Sequence, residues 1–400
     1  MIKIRKSALL WGMILVSLTA YVVTSSLYPS MASLFFGALY ASVILCAYDI
    51  INREKLIPRR DPTVLVLAIV MGSFLGVLVR CETLSFSYFT KLVLFNIIIM
   101  MIFIVKKSNV EGSFLKLWFW MIQIICFVLF YNGFFKKDLY GTTQFLSLGF
   151  SNSNLGGMWC FVAFVGIVWS LSSLHGFKKK AILLSEGVAL MYLVFLTGSR
   201  SSMISMLGIC VCPFIKWLNS VRCRKFFSIC SLLVPMIFPL LYITAYNKGF
   251  DIAFGENQGK SFFSGRHTLW KFAMEQAMEH PILGAYNEIS YGTGTSNMHN
   301  IVIDILASYG VVVLFFVILL ISWVLLDISK NSMSESQNVM FYGFLMALIQ
   351  GTFEAALFTG SSGYGACCCI FLLISKSNVV IDRRGASLKS VPPQRYIRSV

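Results

Sequence analysis

Four side chains of this 400-residue chain have the chemistry to grip an anionic substrate and move a proton: Arg200, Arg266, His299 and Glu354. Arginine is a permanently charged, planar fork that matches phosphate geometry. Arg200 lies in TGSRSS, a short connection between two apolar runs, where glycine and small hydroxyl residues let backbone and ligand approach closely. Arg266 lies in SFFSGRHTLW, inside the longest polar stretch, between apolar runs that end near Tyr246 and begin near Ile301. In the first turn of an expected helix its charge opposes the helix dipole, and an anion bound there would relieve that cost. His299 lies in TSNMHN, in the first turn of an expected short helix from Asn297 to Tyr309, where the dipole keeps an imidazole neutral and able to accept a proton. His267 and His280 compete for that role, and His175 falls on the other side of the membrane. Glu354, in QGTFEAALF, and Glu186 lie within apolar runs, where an ionisable group generally has a partner; Glu354 is placed to hold Arg200 or Arg266. Each residue also has a plainer reading: an arginine at a span edge, Arg80 above all, snorkels to headgroups, a loop histidine is solvated, and an ion pair is structural.

A membrane must position these groups. Only 12% of the residues are charged and 57% are hydrophobic, against about 25% charged in a soluble domain; mean hydropathy is +0.77. Apolar runs of about 20 residues, enough to cross a hydrocarbon core of roughly 30 Å, recur throughout. The expected fold class is all-α, a polytopic integral membrane protein forming one membrane domain over residues 1–400. About twelve spans are expected, near residues 8–28, 31–50, 63–81, 90–105, 114–132, 154–174, 181–197, 201–218, 226–246, 310–326, 338–358 and 362–379. Basic residues stay cytoplasmic in short loops, and an inside amino terminus gathers 22 of the 33 Lys and Arg on the cytoplasmic side. Both termini are then inside, and residues 247–309 form a large extracytoplasmic catalytic loop with short helices.

Within that loop, Ser264 is the expected N-cap of a helix carrying Trp270, Ala273, Met274, Ala277 and Met278 at helical spacing, with Pro281 past its end. It should lie along the membrane surface or pack on the spans. The stretch from Met298 to Leu326 is too long for one straight span, so a break is expected at Gly310.

Other classes fit poorly. The net charge of +16 is scattered over short loops, where topology accounts for it, so nucleic acid is not an expected partner; the basic ends suit anionic lipid headgroups. The first apolar run exceeds a signal-peptide core and is expected to stay. The eleven cysteines fall mostly in spans without CxxC or His-Cys spacing, so neither a disulfide framework nor a metal is expected. Phosphate-loop, GxSxG and dinucleotide fingerprints are lacking in suitable settings, and outer carboxylates are too scattered for a paired-carboxylate hydrolase.

Four segments occur together in order: FSNSNLGG opening a span, LTGSRSSMIS across a short outer turn, SGRHTLWKFAMEQAMEHPILGAY in the largest loop, and MHNIVIDILASYG leading into the next span. Over roughly residues 145–325 this arrangement resembles the O-antigen ligase and O-antigen polymerase superfamily. The resemblance implies a metal-independent glycosyltransferase of the C-type architecture, without cofactor, acting on the outer face of the bacterial cytoplasmic membrane. Its donor would be a glycan on undecaprenyl diphosphate. Arg200 and Arg266 would hold the diphosphate and stabilise charge as it leaves; His299 would activate or orient the acceptor hydroxyl, inverting the anomeric centre. Asn300, Arg80, Asn154 and Glu354 complete the expected substrate-binding set, and Tyr286, Tyr291 and Trp270 are the loop aromatics to test for sugar stacking. Expected partners are the lipid-linked donor, a glycan acceptor, membrane lipids and a chain-length regulator.

Two reactions share that donor. A polymerase extends the chain onto another lipid-linked repeat unit, and this is the preferred reading; a ligase passes the finished glycan to lipid A-core or another acceptor. A flippase or transporter would also show twelve spans, but paired broken helices or a repeat between the halves would be expected, whereas a one-sided loop bearing His and Arg favours an enzyme.

Overall fold

The structure, a computed structural model, describes residues 6–53, 63–80, 86–108, 110, 112–137, 145–174, 176–248, 256–257, 260–261, 266–285, 298–358, 363–377, 379–381 and 388–390. Helices dominate, as they must where no water can satisfy backbone groups. In chain order they are α1 (Lys6–Leu27), α2 (Pro29–Arg53), α3 (Thr63–Arg80), α4 (Phe86–Lys107), α5 (Gly112–Phe130), α6 (Ser153–Ser173), α7 (Phe177–Thr197), α8 (Arg200–Val211), α9 (Val221–Asn247), α10 (Arg266–Glu279), α11 (Ile301–Ile328), α12 (Glu335–Gln350) and α13 (Tyr364–Lys376). Two antiparallel ladders of two and three residues per strand pair 256–257 with 260–261 and 379–381 with 388–390.

Each of the expected spans contains a helix, and eight of the described helices are long and apolar enough to cross a membrane. Helix α6 lies at the centre, with 83% of its apolar window buried, whereas α7 and α9 bury 33% and 28% and turn apolar side chains outward. Such outward faces suit lipid. Glu186, midway along α7, is half-buried and accepts a hydrogen bond from Gln123 Nε2 of α5 at 3.2 Å. The cysteines described are free thiols.

Helix α11 breaks where the sequence places the break. Gly310 has φ +81° and ψ 175°, which interrupts the backbone ladder and frees groups that need partners. The segment after α10 supplies them: Val311 N–H donates to the Pro281 carbonyl at 2.8 Å and Ala285 N–H to the Ala307 carbonyl at 2.7 Å. A Cβ on Gly310 would lie 2.1 Å from the Ile282 carbonyl oxygen, so no larger residue fits.

At the far end of α11, cations cap carbonyls. Arg224 Nη2 donates to Ser329 O at 3.1 Å and Asn331 O at 2.6 Å, Lys376 Nζ meets Val105 O and Ser108 O, and Lys106 pairs with Asp327. Positive charge at a helix C-terminus is favourable. The two ends of α11 therefore differ in chemistry.

Candidate active site

Glu354 joins the candidate residues. Helix α12 stops at Gln350 and the chain turns back, with Thr352 N–H bonded to Ile349 O and Glu354 N–H to Gln350 O, so the carboxylate lies just beyond the helix. Its side chain is 6% exposed. Oε1 accepts from Arg266 Nη2 at 2.9 Å and from Asn154 Nδ2 at 2.8 Å, and Oε2 meets His299 Nδ1 at 3.0 Å. Burial by itself would raise the Glu354 pKa; the hydrogen bond from His299, the charges of Arg266 and His299 and the Asn154 amide outweigh it and hold the carboxyl below its ordinary value. Glu354 is thus ionised at neutral pH.

An ionised carboxylate only accepts hydrogen bonds, so Nδ1 of His299 carries the proton, and in a neutral ring the lone pair sits on Nε2. Such pairing fixes the tautomer of a general base and stabilises the imidazolium formed when it takes a proton. His299 is 30% exposed, so the ring reaches solvent.

The helix that follows the histidine starts later than expected. Asn300 is the N-cap and Ile301 the first helical residue, so His299 precedes the helix with φ +51°. The carboxylate, rather than the helix dipole, governs this ring. A left-handed non-glycine residue costs on the order of 1–3 kcal/mol and persists where its surroundings over-determine it. Here they do. Met298 N–H donates to Asp304 Oδ1 at 3.1 Å, and the Met298 carbonyl accepts from Trp270 Nε1 at 2.7 Å. Asn300 Oδ1 accepts from Val302 N–H and Ile303 N–H, while its Nδ2 donates to the carbonyls of Pro235 and Thr352, each at 3.0 Å.

Arg266 opens α10, as expected, and lies over the Phe353 ring at 5.8 Å. Trp270, Ala273 and Ala277 form the stripe that buries α10 against α9 and α11, while Met278 is exposed. A guanidinium has five N–H donors, and Glu354 orients it through one. Asn154 stands in the first turn of α6, which Asn152 caps by accepting from Leu155 N–H. At the start of α8, Ser202 Oγ accepts from Gln350 Nε2 at 2.6 Å, four residues before Glu354. The N-termini of α6, α8, α10 and α11 therefore gather around the Glu354 turn, each with the partial positive charge that favours an anion.

The structure thus brings together His299, Arg266, Asn154 and Glu354. Arg200 heads α8 and is exposed, two residues before the Ser202 anchor; Glu354 takes Arg266, not Arg200, as its ion-pair partner. Arg80 is the last residue of α3, and its side chain lies outside the described residues, as do Ser264, Tyr286 and Tyr291. Trp270 is fully buried and bonded to Met298, which makes it a packing residue rather than a sugar platform. His267 stacks on Tyr246 at 3.5 Å. Asn300, expected among substrate ligands, is fully buried and uses both ends of its amide on protein. The His299 to Glu354 link was the feature hidden in the sequence; the only signal was an acidic residue in an apolar run.

These features define a class: a multi-pass helical membrane protein in which a buried carboxylate orients an imidazole and a guanidinium where helix N-termini converge. Residues 187–318, about a third of the chain, match the family described as O-antigen ligase. The matched stretch is similar to that family and contains Arg200, Arg266 and His299. Ligase- or polymerase-type glycosyl transfer on lipid-linked glycans, in a multi-pass protein of the bacterial inner membrane, is the general reading that this likeness supports. No curated protein matches the chain.

Proposed function

We propose that the protein is an inverting glycosyltransferase that moves a glycan from undecaprenyl diphosphate to a sugar hydroxyl, polymerising repeat units of a surface polysaccharide. The observation that carries this reading is the single carboxylate of Glu354 bonded to both His299 and Arg266. His299, its Nδ1–H held by Glu354, takes the acceptor proton at Nε2 as the hydroxyl attacks the anomeric carbon. Arg266 and Arg200, with the surrounding helix N-termini, stabilise charge on the departing diphosphate. Attack opposite the leaving group inverts the anomeric centre. Lipid diphosphate is already a good leaving group, so alignment and charge stabilisation suffice without a metal or a covalent enzyme intermediate.

In this reading residues 1–400 form one C-type membrane domain of twelve spans, and residues 247–309 are an extracytoplasmic loop that closes over the headgroup. Both termini are cytoplasmic; the cations that cap α11 and pair near Lys106 support that sidedness. Asn154 supports Glu354 by donating to Oε1, and Arg80 is proposed to supply further positive charge at the donor. A chain-length regulator is the expected protein partner. The family description favours a second reading, a ligase that passes the finished glycan to lipid A-core or another acceptor.

Purified protein in nanodiscs, given lipid-linked repeat units extracted from cells lacking this enzyme as sole substrate, tests the assignment. A ladder of longer lipid-linked glycans supports the polymerase. Transfer only after an acceptor such as lipid A-core is added supports the ligase, and no glycosyl transfer with either would refute both.

A further inference from the structure

Helix α9 carries two internal prolines, Pro235 and Pro239. Proline has no backbone N–H, so Pro239 cannot bond the carbonyl four residues earlier, and that carbonyl belongs to Pro235. Pro235 is buried, where an unpartnered carbonyl is costly. Its partner is Asn300 Nδ2 at 3.0 Å. The other hydrogen of the same amide reaches the carbonyl of Thr352, two residues before Glu354, and Ile301 N–H reaches Gly351 O at 2.8 Å. Asn300 therefore ties three things together: the gap that Pro239 leaves in α9, the turn that carries Glu354, and the backbone next to His299.

We infer that Asn300 is a positioning residue rather than a substrate ligand, and that Pro239 serves it by keeping the Pro235 carbonyl available. The inference rests on the catalytic reading of His299 and Glu354 given above. A serine at 300 keeps an N-cap oxygen for Val302 and Ile303 but loses both amide donors. His299 is then released from its left-handed backbone setting, and the separation between its ring and Glu354 is no longer fixed. Misplacement of a catalytic group by about 1 Å costs on the order of 100-fold in rate, and a remote positioning loss leaves substrate affinity largely intact. Pro239→Ala acts on the same lock from the other side. It restores an N–H at 239 that competes for the Pro235 carbonyl, while removing a helix breaker from α9, so stability should hold or rise as the rate falls.

The full-length protein in nanodiscs is assayed with extracted lipid-linked repeat units, measuring kcat and KM for wild type, H299A, N300S, P239A and the N300S/P239A double variant, with thermal unfolding of each. The expected result is a kcat lower by about 100-fold in N300S, a smaller loss in P239A without loss of thermal stability, KM within about twofold throughout, and a double variant no slower than N300S, because two changes in one network do not add. A raised KM at unchanged kcat would make Asn300 a ligand and overturn the inference. So would wild-type kcat in N300S, or multiplicative losses in the double variant. Should N300S fail to insert, P239A decides: wild-type kcat there overturns the inference. An inactive H299A beside a fully active N300S sinks this inference alone, whereas a fully active H299A removes the catalytic reading on which it rests.

Discussion

Replacing Glu354 by glutamine keeps size and shape and removes only the charge and one acceptor. In the wild type the carboxylate accepts from three donors, Arg266 Nη2, Asn154 Nδ2 and His299 Nδ1. A glutamine amide has one oxygen and one NH2. If the oxygen faces Arg266 and Asn154, which share Oε1 in the wild type, the NH2 faces the imidazole, and Nδ1 must become the acceptor. The ring proton then moves to Nε2 and the base is lost. The corresponding acid-to-amide change in a Ser-His-Asp triad lowers kcat about 10⁴-fold, roughly 5.4 kcal/mol at 1.36 kcal/mol per decade. His299 is 30% exposed, so water relieves part of the mismatch, and a loss of about 10² to 10³, or roughly 2.7–4.1 kcal/mol, is expected in kcat. Glu354 touches no substrate in this account, so KM should stay near wild type. The assay is single-turnover transfer from lipid-linked repeat units in nanodiscs, with folding checked by gel filtration. A well-folded E354Q variant with wild-type kcat would show that the Glu354 charge does not set the His299 tautomer.

Three other outcomes are expected. Arg266→Lys keeps the charge and loses the planar fork that can hold Glu354 and a phosphate together, and it should lower kcat/KM about tenfold to 100-fold; an unchanged value would remove Arg266 from donor binding. Gly310→Ala should destabilise by about 3 kcal/mol or more, because the new Cβ meets the Ile282 carbonyl oxygen at 2.1 Å and φ is +81°, whereas Gly37→Ala, with nothing within 4 Å, should not; equal melting temperatures in detergent would contradict this. Because the Glu354 carboxyl lies below its ordinary value, its stabilisation is fully present above about pH 4.3, the unfolded value, and is lost as pH falls through the lower folded value. The wild-type melting temperature should therefore drop more steeply below about pH 4 than that of E354Q, and parallel curves would count against the ion pair.

Much of the architecture is legible from elementary rules. Runs of apolar residues become helices because lipid leaves the backbone no other partner, and Gly310 breaks α11 because a 28-residue helix meets a residue that tolerates positive φ. Arg266 at the head of α10 follows from the spacing of Trp270, Ala273 and Ala277 and from Pro281 beyond the end. Local pattern could not say which partner Glu354 takes, since His299, Arg266 and Asn154 lie 55, 88 and 200 residues away. The start of α11 lies beyond where local pattern places it for a similar reason: residues 298–300 are held out of the helix by Trp270, Asp304, Pro235 and Thr352, and three of these four lie on other elements. The role of Asn300 in turn depends on a proline 61 residues away in sequence.

In the proposed reaction an imidazole aligned by Glu354 and the guanidinium groups of Arg266 and Arg200 act on one lipid diphosphate. A structure of the protein in nanodiscs with a non-transferable undecaprenyl-diphosphate glycan analogue tests it most directly. Phosphate oxygens should lie within hydrogen-bond distance of Arg266 and Arg200, and His299 Nε2 should face the anomeric carbon from the side opposite the leaving oxygen. A diphosphate bound elsewhere, with both arginines and His299 away from it, would contradict it.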